Sequence, residues 1–273
     1  MSAKRKILYS TYKLLKATGY ISLMNSLNPR PSVLMYHRVN ENLDEEMTVH
    51  KDEFEKMIKV FSQNYKVISL VDLIAKLKKK EKLDSKTIVI TFDDGYKDNY
   101  EYAAPILKKY GLPATFFVTS GYIDTKRIFE WDKVNPNKHD MMTWDDVRDL
   151  SRLGFDIGSH TVNHVNLGKV DVETAITELT KSKQKIENEL NKEIRLFAYP
   201  FGRMDCIRDE VVDVVKNAGY DCCCSGYGGK IKAETDVYNI YRVGGAYPNT
   251  LELLMEVDNF MTYYNGRMSI NLI

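Results

Sequence analysis

Cysteine is scarce in this chain: four residues in 273, with Cys222, Cys223 and Cys224 consecutive and Cys206 apart. That pattern suits neither a disulfide framework nor the spacing of a zinc finger, so the thiols read as small buried apolar residues in a reducing compartment. No apolar run reaches transmembrane length. Lys13 and Lys16 interrupt the apolar part of the N-terminal segment and no small-residue cleavage site follows, which makes a poor signal peptide and points to the cytoplasm. Internal repeats, low-complexity tracts and Pro/Gly/Ser-rich linkers are missing, so one domain is expected. An excess of charge is missing too. Thirty-nine basic against 38 acidic residues leave a net charge of +1, without the basic footprint of a nucleic-acid binder.

Acidic residues are absent from the first 40 positions, where Lys4, Arg5, Lys6, Lys13, Lys16 and Arg30 stand among apolar residues. Residues 4–27 follow a helical pattern with a basic polar side. This basic amphipathic segment, residues 1–30, either lies on an anionic membrane surface, at its inner face, or packs on the body of the protein. The domain proper is expected over residues 31–273.

What the chain does have is 44% hydrophobic residues, enough for a sizeable core, in strand-like and helix-like patterns that alternate some seven times. That alternation predicts an α/β fold with parallel strands and crossover helices, either a barrel or an open sheet. Expected strands include 32–36, 67–69, 87–92, 114–118, 155–159, 196–199, 220–224 and 240–243. Expected helices include 99–110, a helix capped by Thr143, 172–191 and a closing helix over 251–264. Residues 121–142 form a long irregular insertion, a candidate lining for a substrate groove.

The chain is organised around Thr91-Phe92-Asp93-Asp94-Gly95, two adjacent carboxylates at the end of a buried strand. In α/β folds that end is where sites are built, and candidate residues at the ends of several strands favour a distorted (β/α) barrel of about seven strands. Alternating side chains would point the two carboxylates apart unless the backbone turns between them. A second constellation follows the strand ending at Ser159. His160 and His164 are four apart, so on a helical turn both imidazoles would share a face; with one carboxylate they make a His₂Asp site with an open position, the arrangement of a catalytic metal. Zn²⁺ suits these donors best, with Co²⁺, Ni²⁺ or Fe²⁺ as alternatives.

Thr91-Phe92-Asp93-Asp94-Gly95 and Ser159-His160-Thr161-Val162-Asn163-His164 together resemble the first two motifs of the NodB-type polysaccharide deacetylases, carbohydrate esterase family four. The resemblance covers about residues 32–260 and implies a metal-dependent removal of an N-acetyl group from an amino sugar. It implies Asp94, His160 and His164 as metal ligands and Asp93 as general base. Ala198-Tyr199-Pro200-Phe201-Gly202 resembles the third motif, with Phe201 supplying a backbone N–H to an oxyanion. The family's arginine is replaced by Ala198, and Arg242 is the candidate to orient the base in its stead. Tyr199 and Pro200 are implied in substrate binding, as is Trp144 as a groove-wall aromatic, with a buried tryptophan of the core as its alternative. The family's C-terminal histidine is absent. In the permuted branch acting on poly-N-acetylglucosamine the corresponding histidine comes early, and Leu34-Met35-Tyr36-His37-Arg38-Val39 resembles that segment, so His37 is the expected general acid.

The expected substrate is an N-acylated amino sugar, a precursor in cell-surface polysaccharide assembly, lipid-linked or otherwise. Deformylation of a lipid-linked formamido sugar uses the same chemistry, and a non-catalytic carbohydrate-binding relative is a further alternative. A Mg²⁺-dependent phosphoryl-transfer enzyme is disfavoured by the imidazole pair, since Mg²⁺ prefers oxygen ligands.

Overall fold

The computed structural model describes residues 3–41, 47–134 and 139–261. Ten strands and nine α-helices lie among them. The strands are β1 (Ser32–Tyr36), β2 (Arg38–Asn40), β3 (Thr48–His50), β4 (Lys66–Val67), β5 (Thr87–Phe92), β6 (Thr115–Val118), β7 (Asp156–Ser159), β8 (Leu196–Ala198), β9 (Cys222–Cys224) and β10 (Val243–Gly244). The helices are α1 (Ala3–Ala17), α2 (Tyr20–Leu27), α3 (Lys51–Asn64), α4 (Leu70–Lys78), α5 (Ala104–Lys109), α6 (Trp144–Arg152), α7 (Val172–Leu190), α8 (Asp209–Asn217) and α9 (Thr250–Val257).

Seven parallel strands run in the order β10-β1-β5-β6-β7-β8-β9, and β4 pairs with the start of β5. A parallel bridge from Cys224 to Ile240 draws the segment before β10 onto β9, so the curled sheet nearly closes on itself. This is the distorted barrel expected from the sequence. Side chains alternate across it. Val33, Val89, Phe117, Leu196, Cys222 and Cys224 face an inner layer completed by Leu70, Leu73, Ile74 and Leu77 of α4. Leu34, Ile88, Ile90, Phe116, Phe197 and Cys223 face the outer layer under the other helices. The consecutive cysteines thus divide between the two layers, all free and buried.

Several boundaries differ from the sequence pattern. The 67–69 strand shrinks to β4 because Ser69 accepts a hydrogen bond from the Asp72 amide and starts α4. The last strand is displaced to Val243–Gly244, leaving Ile240 as the bridge to β9. The closing helix begins at Thr250 and ends at Val257; residues 262–264 of the expected span lie outside the described residues. β2 and β3 pair in a separate two-stranded parallel sheet. Thr143 caps α6 in a full capping box with Asp146, as its sequence predicts.

No helix among the described residues is long and apolar enough to cross a membrane. The basic segment forms α1 and α2, and one face of it packs on the domain. Tyr12 and Ile21 are buried against Met255 and Phe260, the Tyr12 hydroxyl donates to Asp258 at 2.7 Å, and Lys16 pairs with the same carboxylate. Arg5 pairs with Glu252 near the other end of α9. Truncating the buried Tyr12 ring empties this contact, and we expect Tyr12→Ala to cost about 3 kcal/mol of unfolding free energy in denaturant titrations. A loss within measurement error would mean that α1 contributes nothing to the fold.

Candidate active site

The carboxyl ends of β1, β5, β7 and β8, with the turn before β10, surround a cavity of about 250 Å³. Its lining includes His37, Asp93, Asp94, His160, His164, Tyr199, Phe201 and Arg242, together with Trp131 and Arg203. Eight of the ten residues singled out from the sequence are therefore brought to one place. Pro200 is buried beside its lining neighbours Tyr199 and Phe201. Trp144 corrects the substrate-binding reading in favour of its core alternative: it packs in the outer core as the first residue of α6, with the Lys185 ammonium over its ring, and does not line the cavity.

The backbone turns sharply to achieve this. Asp94 has φ +77°, so its side chain is not thrown to the opposite face from Asp93 as a continuing strand would require. Thr161, His164 and Phe201 also have positive φ, at 66°, 55° and 61°. Left-handed backbone at three lining residues and at Thr161 beside them is a costly local arrangement of the kind that functional sites hold. The histidines converge by the same means. Residues 160–164 form a loop rather than the helical turn inferred from their spacing, and the two rings come to 4.9 Å between centroids.

Asp93 is clamped by Arg242, whose two terminal nitrogens donate to the two carboxylate oxygens at 2.7 Å each. The guanidinium is fully buried and is itself aimed by bonds from Nε to the Ser225 carbonyl and from Nη1 to Thr91 Oγ1. Burial alone would raise the Asp93 carboxyl; the Arg242 charge, with His160 adding to it, outweighs burial and holds the group below its ordinary range. Arg242 thus fixes the direction of the Asp93 carboxylate. The Ala198 carbonyl bonds His160 Nδ1 at 2.8 Å, which leaves Nε2 facing Asp94.

Asp94 is different. Neither carboxylate oxygen has a hydrogen-bond partner, although both are buried. Oδ1 lies 3.5 Å from His160 Nε2 and 3.3 Å from His164 Nε2, and one donor atom from each of the three residues falls within 4.8 Å of the others. Burial, the largest influence, pushes His160 down to about 4, so it is neutral at physiological pH, the form that ligates metals. A buried carboxylate without a donor, facing neutral imidazole, is expensive unless a cation sits among them. These residues fit a divalent-metal site of the His₂Asp type.

Neighbouring elements fix the ligand loop and the cavity wall. Glu178 of α7 is buried and accepts from the amides of Val162 and Asn163 at 2.9 and 2.8 Å and from Asn163 Nδ2 at 2.6 Å. Ser182, one turn along, donates to the Thr161 carbonyl. The 121–142 insertion does reach the cavity, as its length suggested. Tyr122, Phe129 and Trp131 stack at 4.1 and 4.6 Å, and Trp131 abuts His164 and Phe201. Its Nε1 donates to the Tyr96 hydroxyl, which donates to Asp132, and Asp132 forms a buried ion pair with Arg38 at 2.7 Å.

With this geometry in view, comparison with known proteins is decisive. A family model described as polysaccharide deacetylase matches residues 80–223. The chain belongs to the polysaccharide deacetylase family. YxkH of Bacillus subtilis (strain 168), assigned by name to the same family, is 29% identical over 212 residues, 77% of this chain and 70% of that one. The poly-beta-1,6-N-acetyl-D-glucosamine N-deacetylase of Staphylococcus aureus (strain MSSA476) is 29% identical over 206 residues, 72% of this chain and 66%, just under two thirds, of that one. Among solved structures, the Streptococcus pyogenes deacetylase PplD in complex with acetate superposes with a TM-score of 0.70 at 25% identity, over 84% of this chain and 97% of that one. The span matched by the family model contains both motif segments.

Sequence spacing did not reveal Glu178 or the Arg38–Asp132 pair, because each acts across more than ten residues through a loop whose path had to be seen. Glu178→Gln keeps the side-chain shape but turns one acceptor into a donor facing Asn163 Nδ2. We expect the variant to fold normally and to bind Zn²⁺ at least about tenfold more weakly in chelator competition, the usual scale for removing a ligand's support. Unchanged affinity would show that Ser182 and the loop's own backbone suffice.

Proposed function

We propose that this chain is a metal-dependent hydrolase that removes the N-acetyl group from an amino sugar of a cell-surface glycan or its precursor. The observation that carries the reading is the unsatisfied buried carboxylate of Asp94, facing His160 and His164 beside a second carboxylate that Arg242 holds in place. The sugar class is supported by the name of the S. aureus relative, and the acyl group by the acetate in the PplD structure.

Asp94, His160 and His164 would hold the metal, with Zn²⁺ best suited and Co²⁺, Ni²⁺ or Fe²⁺ compatible with the same donors. When bound, such an ion supplies Lewis acidity toward the amide carbonyl and lowers the pKa of water. Asp93 acts as general base. The Arg242 clamp keeps it ionised and fixes its direction, at the cost of some basicity. Phe201 lines the cavity with left-handed backbone, and its N–H is the group assigned to donate to the developing oxyanion. His37 lines the same cavity and protonates the departing amine, which is too basic to leave as an anion. Trp131, the half-buried end of the aromatic stack, gives the sugar an apolar face in place of Trp144.

Two measurements test this. Metal analysis separates the roles: Asp94→Asn, His160→Ala and His164→Ala should lose metal and activity together, whereas Asp93→Asn and His37→Ala should keep metal and lose roughly 10²-fold or more in kcat. Full metal content in a His160→Ala, His164→Ala double variant would remove the site. Mass spectrometry of nucleotide-linked, lipid-linked and oligomeric N-acyl sugars should show loss of about 42 mass units for acetyl, against about 28 for formyl. Loss of formyl alone would reassign the enzyme as a deformylase.

A further inference from the structure

The amphipathic segment has two apolar faces, and only one of them is used by the fold. On α1, Tyr12 is buried and Leu8, Tyr9 and Leu15 pack beside it. Ile7 and Leu14, seven residues apart and hence on one stripe, point away with 65% and 64% of their surface exposed. On α2, Ile21 and Asn25 are buried, whereas Leu23 and Leu27, four apart, are 57% and 73% exposed. Four large aliphatic side chains displayed on two consecutive helices are more than scattered surface residues require.

The charges divide in the same way. Arg5 and Lys16 turn inward and are neutralised by Glu252 and Asp258. Lys4, Lys6 and Lys13 are exposed and make no ion pair among the described residues. On a helical wheel these three flank the stripe of Ile7 and Leu14, with Lys4 on one side and Lys6 and Lys13 on the other. No acidic residue occurs before Glu41 to oppose them. An apolar stripe bordered by unpaired lysines is complementary to a surface that is apolar below and anionic above.

We propose that the outward face of α1 and α2 docks on an anionic lipid surface, with Ile7, Leu14, Leu23 and Leu27 entering the acyl boundary and Lys4, Lys6 and Lys13 meeting the headgroups. The inward face is what makes this a fixed orientation rather than a tether. Arg5 meets Glu252 near the start of α9, and Lys16 meets Asp258 just past its end, so α1 runs alongside α9. Because α9 starts shortly after the carboxyl end of β10, the start of α1, with Lys4 and Lys6, lies toward the end of the barrel where the cavity opens. A docked protein would present that cavity along the surface, within reach of an amino sugar displayed there.

Deleting residues 1–27 would not test this, since it also uncovers Met255 and Phe260. Point variants on the outward face leave the packed face intact. The experiment is cosedimentation of the full chain with vesicles of phosphatidylcholine, with and without phosphatidylglycerol, at low and high salt. We expect binding to the mixed vesicles alone. The Lys4→Ser, Lys6→Ser, Lys13→Ser variant should lose roughly a hundredfold at low salt, about fivefold for each lysine. The Ile7→Ser, Leu14→Ser, Leu23→Ser, Leu27→Ser variant should also lose binding while keeping its thermal midpoint. Failure of the full chain to sediment, or full binding by the aliphatic variant, overturns the proposal. So does a stable dimer in equilibrium sedimentation that the aliphatic variant dissolves, because a second copy would then cover the face. Binding is read without turnover, so the result stands apart from the assignment of the hydrolase.

Discussion

The site depends on one buried ion pair. Arg242 and Asp93 meet through two bonds of 2.7 Å with both side chains almost wholly out of water. Removing one partner of such a pair leaves an uncompensated interior charge, typically a cost of about 3–5 kcal/mol. The pair also explains why the neighbouring carboxylate can be left without donors. Asp93 consumes the cation that the barrel provides, so Asp94 has only imidazoles opposite it, and two adjacent residues of one type acquire different chemistry from different surroundings.

Much of this was legible in the residues. The β-branched runs announced buried parallel strands, and the double aspartate and histidine pair marked which strand ends carry chemistry. Arg242 was legible only as a substitute, a cation at the end of a late strand in a chain whose third motif lacks its arginine. The direction of Asp94 was not readable, because it rests on a left-handed backbone at a non-glycine residue, which sequence patterns do not announce. The convergence of His160 and His164 was inferred correctly from a wrong local geometry: the spacing suggested a helical turn, and a loop braced by Glu178 supplies it. The substrate-binding reading of Trp144 failed for a related reason. Trp144 sits in a regular, well-capped helix and is drawn into the core, whereas Trp131 lies in an irregular segment whose course is set by Tyr96, Asp132 and Arg38.

Four left-handed residues and a carboxylate without donors both disfavour the site as an isolated structure, and what opposes them is the surrounding packing. Glu178 and Ser182 hold the histidine loop from α7; Arg38 and Asp132 hold the aromatic insertion from β2. The small β2–β3 sheet, invisible as a pattern because each strand has three residues, acquires a role here: it carries Arg38 out from β1 to the insertion. Supports of this kind come from outside the motifs, which is why motif recognition locates the chemistry without explaining its geometry.

The barrel's seam adds a temporal dimension. Arg242 lies between the Cys224–Ile240 bridge and β10, the last strand to join the sheet, whereas Asp93 ends the third strand along its path. During synthesis on a ribosome about 150 residues must emerge after the aspartate before its counter-charge exists, and until then a desolvated carboxylate would oppose any early burial of that strand end. The order of translation therefore works against a half-built barrel, and the site forms when β10, the last strand among the described residues, joins the sheet.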